Sequence, residues 1–139
     1  MIRYHYQTDF ELEDPSKYTN WIIKVAEAGN ARIAELNYIF TSDEELLTIN
    51  KEFLNHDYYT DIITFPYEEG EELAGDIFIS VDRVRDNATQ LNEVFEQELR
   101  RVMIHGVLHL LGYQDNSPEQ ASGMRDREDL ALKMFHVEH

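Results

Sequence analysis

The segment Val102-Met103-Ile104-His105-Gly106-Val107-Leu108-His109-Leu110-Leu111 constrains the chain more than any other. Ile104, Val107, Leu108, Leu110 and Leu111 surround the two histidines, so the segment belongs in a core, where imidazole nitrogens need partners. His105 and His109 are four apart. On a helix that spacing places both rings on one face, one turn apart, where they can grip one ion. Gly112 stands at an expected helix C-terminus that needs a positive φ. A reversal there brings Asp115 back toward the same point. The pattern His-x3-His-x2-Gly-x2-Asp offers two nitrogens and a carboxylate oxygen, and leaves a fourth tetrahedral position for water, as catalytic zinc sites do. His105, His109 and Asp115 are therefore the expected ligands of one zinc ion. Two core histidines, each satisfied by a hydrogen bond, are the plainer reading; it leaves the glycine and the third ligand type unexplained.

The chain has no cysteine, which removes disulfides and thiolate ligands and restricts any metal site to His, Asp and Glu. Its 139 residues, 42% of them apolar, suffice for one folded domain spanning 1–139. No apolar run reaches the roughly 18 residues that cross a bilayer, and the start MIRYHYQTDFELED lacks the basic and apolar stretches of a secretory signal. The expectation is a soluble intracellular protein. Twelve Lys and Arg against 28 Asp and Glu give a net charge of −16, a field that repels nucleic acid on average. An RNA substrate would need a local basic strip or a basic partner.

Hydrophobic periodicity and stop signals predict strands and helices in mixed order. Residues 1–6 form a strand, and Asp14-Pro15 cap and open a helix over 15–28 that Gly29-Asn30 ends. Ala34, Leu36, Tyr38 and Phe40 alternate along a second strand. Ser42-Asp43-Glu44-Glu45 is a capping box for a helix with Leu46, Ile49, Asn50 and Phe53 on one side. Strands at 61–65 and 75–80 flank an acidic loop, Glu68 to Glu72. Helices follow near 81–91, from Val94 to Leu111, and from the Ser117-Pro118-Glu119-Gln120 start to about Met134. The expected class is α+β, with a small mixed sheet, about five helices and a zincin-like metal helix.

The ligand spacing resembles that of metzincin peptidases, which carry a glutamate directly after the first histidine as a base. Gly106 occupies that position here, which argues against a zinc peptidase. The run His105-Gly106-Val107-Leu108-His109-Leu110-Leu111-Gly112-Tyr113 resembles the HGxLHLxGY signature of the YbeY family of endoribonucleases. Thr60-Asp61-Ile62-Ile63-Thr64-Phe65-Pro66 is similar to its T-D-V-L-S-F-P block, and Gly75-Asp76-Ile77-Phe78-Ile79-Ser80 to its G-D-I-x-I-S; Ile49-Asn50 also corresponds. The resemblance implies a zinc-dependent endoribonuclease directed at single strands, cytoplasmic in bacteria. It implies a part in 16S ribosomal RNA 3′-end maturation and ribosome quality control, with precursor RNA and ribosomal components as partners. Two departures stand out. Asp115 occupies the position of the family's third histidine, and Leu54 that of an arginine suited to hold a phosphate.

The remaining candidates are weaker. Gly106 either lets a substrate strand approach the helix or packs helix against sheet. Asp61 and Asp76, at strand starts, are the best guesses for a general base, and either can equally cap a turn. Arg100, Arg101, Arg83, Arg85 and Lys51 could give local positive charge or simply solvate helix faces. His136 and His139 are expected in a frayed terminus. Asp115-Asn116-Ser117 lacks the spacing of a calcium loop. A third reading, a ribosome-associated protein with structural zinc, is disfavoured because structural sites are closed by four protein ligands.

Overall fold

A computed structural model of the chain describes residues 1–67 and 72–138. The element order is β1 (Ile2–Tyr6), α1 (Pro15–Ala28), β2 (Ile33–Thr41), α2 (Asp43–Leu54), β3 (Ile62–Pro66), β4 (Leu73–Ser80), α3 (Val81–Leu91), α4 (Phe95–Leu110) and α5 (Pro118–Glu138). The four strands form one sheet in the order β1-β2-β4-β3. β1, β2 and β4 run parallel, and β3 is antiparallel to β4. The expected α+β class with a mixed sheet and five helices holds among the described residues. The acidic loop expected at Glu68 to Glu72 falls outside them, save Glu72.

One sheet face is apolar and carries α4. Leu36, Tyr38 and Phe40 of β2 and Ile77 and Ile79 of β4 are buried with Leu99, Met103, Ile104 and Val107 of α4. Parallel register sets Tyr4 beside Tyr38 and Tyr6 beside Phe40, with stacked rings 5.7 Å and 5.6 Å apart. The Tyr38 hydroxyl donates to the Met103 carbonyl at 2.9 Å, fixing α4 along its axis against β2. α1 and α5 close the core, where Trp21 Nε1 donates to the Ala131 carbonyl at 2.7 Å. On the other face, His5, Asn37 and Asp76 are hydrogen-bonded neighbours across three strands.

Local details differ from the sequence expectation for identifiable reasons. Asp14 starts α1 in a left-handed conformation (φ 54°) and does not cap it; its carboxylate accepts from Ser16 instead. Ala34 is exposed rather than inward, because a register shift between Ile33 and Glu35 resets the alternation of β2. Phe53 is 67% exposed, although Leu46 and Asn50 on α2 are buried as expected. α5 runs past Met134 to Glu138, because Phe135 packs at 5.3 Å against Trp21. His136 therefore lies within a helix and not in a frayed tail, while His139 lies outside the described residues.

Gly106 is buried, and a Cβ placed there would come within 2.8 Å of Ile77 Cδ1 and 3.1 Å of Ile62 Cδ1. Its role is close packing of α4 on β3 and β4, and the substrate-approach reading is set aside. Gly106→Ala is expected to destabilise by about 1–2 kcal/mol, since Ile77 is fully buried and must shift. Urea denaturation checks this: the midpoint falls at unchanged slope.

Candidate metal centre

α4 supplies both histidines, and the way it ends supplies the third donor. Gly112, at φ 107°, takes the left-handed turn. The Tyr113 N–H donates to the Leu108 carbonyl at 3.1 Å and the Gly112 N–H to the His109 carbonyl at 3.0 Å, a Schellman closure. The chain then reverses and Asp115 returns toward the histidines. His105 Nε2 and His109 Nε2 are 2.9 Å apart, and Asp115 Oδ2 lies 3.4 Å and 3.6 Å from them. The three donor atoms all fall within 4.8 Å of one another. Metal bonds of 2.0–2.2 Å in a tetrahedron place donors about 3.3 Å apart, so this triangle already has the dimensions of a site for one small divalent cation.

The far nitrogens fix the rings. His105 Nδ1 is 2.6 Å from Glu128 Oε2, and His109 Nδ1 donates to the Tyr113 carbonyl at 2.9 Å. A carbonyl and an ionised carboxylate only accept, so both Nδ1 atoms carry hydrogen. With neutral rings the two Nε2 lone pairs then face each other at 2.9 Å. That contact is repulsive unless a proton or a cation lies between them.

Glu128 escaped the sequence reading. It lies on α5, only 5% exposed, in line with the buried Met124, Ala131, Leu132 and Phe135. An acid on an apolar helical stripe was the available signal. Arg101 holds the same carboxylate at 3.0 Å and reaches Asp129 at 2.8 Å. Burial pulls His105 down, but the Glu128 bond and the nearby carboxylates outweigh it, leaving the imidazole above its usual range. Burial likewise pushes Glu128 up, yet His105 and Arg101 override it and hold the carboxyl low. A small chamber of about 190 Å³ behind His105 is lined by Asp61, Glu98, Arg101, Arg125 and Glu128. Burial raises Glu98, with Asp61 adding to the shift.

The metal triad opens onto a cleft of about 540 Å³ whose walls include Asn50, Leu54, His56, Tyr58, Asp61 and Thr64. Of the two candidate bases, Asp61 reaches this cleft. Its carboxyl, held by Asn87 at 3.2 Å, is raised by burial against the lowering effect of His105. Asp76 instead accepts from Tyr67 and Asn37 on the opposite sheet face. The five candidate cations are all engaged elsewhere. Arg101 orients Glu128, Arg83 pairs with Asp43 and Asp86, Lys51 pairs with Asp57, and Arg85 and Arg100 lie over Phe95 and Phe135.

The sequence profile described as Endoribonuclease YbeY matches residues 3–136. The chain belongs to the YbeY endoribonuclease family. The Endoribonuclease YbeY of Flavobacterium psychrophilum is 50% identical over 137 residues, covering 99% of this chain and 98% of its own. That of Bacteroides thetaiotaomicron is 47% identical over 132 residues, covering 93% and 96%. The solution structure of TM1509 from Thermotoga maritima superposes with a TM-score of 0.69 at 28% identity, over 99% of this chain and 91% of that one. Family membership thus covers the whole fold, including α5 and its Glu128, well beyond the signature blocks.

Two outcomes follow. Glu128→Gln keeps the shape of the side chain but removes the charge that orients His105. It is expected to weaken binding of a divalent cation about 10- to 100-fold, read by calorimetric titration. In metal-free protein the His105–Glu128 pair also makes stability depend on pH. The raised histidine contributes fully below its ordinary 6.5 and loses that contribution as pH climbs through its folded value. The lowered Glu128 contributes above its ordinary 4.5 and loses it as pH falls through its folded value. The wild-type advantage over Glu128→Gln in urea midpoint should therefore be greatest between about pH 4.5 and 6.5 and shrink on both sides.

Proposed function

We propose that the chain is a zinc-dependent endoribonuclease that cleaves single-stranded RNA, acting in the cytoplasm on 16S ribosomal RNA precursors at their 3′ end and in ribosome quality control. The observation that carries this reading is the convergence of His105, His109 and Asp115 on one point at the edge of an open cleft, in a chain of the YbeY family. Two imidazoles and one carboxylate suit zinc, and three protein donors leave a position open to substrate, unlike a closed structural site. The absence of thiolate donors also disfavours sites built for softer ions.

His105, His109 and Asp115 would hold the ion, with Glu128 and the Tyr113 carbonyl keeping both Nε2 lone pairs aimed at it. When bound, zinc supplies a Lewis acid for a phosphate oxygen and acidifies water. The chain supplies the remainder. Asp115 brings a negative charge where the family has a neutral imidazole, so the bound cation is less electron-deficient here. Asp61, raised by burial and lining the same cleft, is the group we assign to take up a proton during hydrolysis. A peptidase of metzincin type would need an acid at position 106, where the glycine is packed against Ile77.

Metal analysis together with RNA cleavage tests this. Purified wild type should carry about one equivalent of zinc, and His109→Ala and Asp115→Ala should lose it along with cleavage of an unpaired ribosomal RNA fragment. Equal cleavage by wild type and His109→Ala would dismiss the catalytic role of the site. Zinc should also displace the proton that His105 retains above its ordinary range. Affinity is thus expected to fall as pH drops from 8 to about 6, with proton release visible in titrations across buffers of different ionisation heat.

A further inference from the structure

We infer that the stacked rings of His56 and Tyr58, on the wall of the cleft, form a nucleobase platform that grips an unpaired base of the RNA strand. This rests on the ribonuclease reading and names the part of the substrate the cleft holds. The need for such a platform comes from charge. No Lys or Arg lines the cleft among the described residues. Leu54, 40% exposed, stands on its wall, and Lys51 on the same helix pairs with Asp57 at 3.4 Å. With a net charge of −16, the chain has no electrostatic term there to attract a phosphate backbone. Contact with the strand must come from the metal site and from the bases.

The platform has the form that base stacking requires. The His56 and Tyr58 rings lie 5.1 Å apart at an interplanar angle of 19°, tied by a 2.9 Å hydrogen bond between the Tyr58 hydroxyl and His56 Nδ1. Tyr58 nevertheless stays 55% exposed beside the cleft. The loop that carries both rings is fixed from beneath. Buried Asn50 donates through Nδ2 to the Tyr58 carbonyl at 3.0 Å, and its own carbonyl accepts from the His56 N–H at 3.1 Å. Asn55 turns the chain between them at φ 57°. Ordering of the rings is thus complete before ligand arrives, which favours affinity. Stacking on aromatic rings tolerates every base and needs a free base face, which a duplex lacks. The platform therefore selects unpaired strands without reading sequence.

The test is fluorescence anisotropy of a labelled, unpaired oligoribonucleotide with the zinc-loaded protein on ice, its integrity checked on a gel afterwards. Tyr58→Ala should weaken binding about 5- to 100-fold, and Tyr58→Phe, which keeps the ring, by no more than about threefold. Zinc content and urea midpoint of both variants should match wild type, and the salt dependence should be as shallow in Tyr58→Ala as in wild type, since no counterion is released at a neutral ring. Wild-type affinity in Tyr58→Ala, no binding by wild type, or a duplex that binds as tightly as the single strand would each overturn the platform. An oligonucleotide that binds through Tyr58 but is never cut would sink the ribonuclease reading alone. Cleavage with the same KM in wild type and Tyr58→Ala would sink the platform alone.

Discussion

The hydrogen bond between Glu128 and His105 is the contact on which the candidate metal centre depends. It crosses from α5 to α4, and it forces the imidazole to turn its other nitrogen toward His109 and Asp115. The donor geometry would otherwise be one of several rotamers of an isolated helix face. Because Glu128 is buried, its charge needs the two donors that Arg101 and His105 provide. The site is thus preorganised, with both Nε2 atoms facing the point that Asp115 Oδ2 also faces.

The same economy of buried charge shapes the cleft. Arg101 and Arg83, which stand near enough to the site to be considered for phosphate, are committed to carboxylates of the fold. In an acidic protein each arginine has several acids competing for it, so free cations are scarce. The cleft consequently presents aromatic, amide and hydroxyl groups and, besides Asp115, the half-buried carboxyl of Asp61. On the proposed ribonuclease reading, an RNA strand would be captured there by rings and the metal site rather than by cations.

The fold places the metal helix by shape rather than by polar contacts. Gly106 brings α4 down onto Ile77 and Ile62, and Tyr38 locks its height through the Met103 carbonyl. The histidines of the same helix are thereby held at the sheet edge beside β3, which Asp61 immediately precedes. The motif blocks around residues 60–66, 75–80 and 105–115, separate in the sequence, meet at this packing.

The α+β class, the five helices, the two histidines on one helical face, the glycine reversal and Asp115 were legible in the sequence, because each follows from spacing along a single element or turn. The resemblance to the family was likewise a matter of short contiguous blocks. Asp61 could be named but not separated from Asp76, because only the folded contacts show that Asp61 faces the cleft beside His105 while Asp76 bonds to Tyr67 and Asn37. The length of α5 also went unread, since it is set by the packing of Phe135 on Trp21, distant in the chain. So it was with Glu128, 23 residues from His105, and with the pairing of each arginine. Local periodicity fixes which side of an element a residue occupies. Which residue of another element meets it there is decided by packing, and that information exists only in the folded chain.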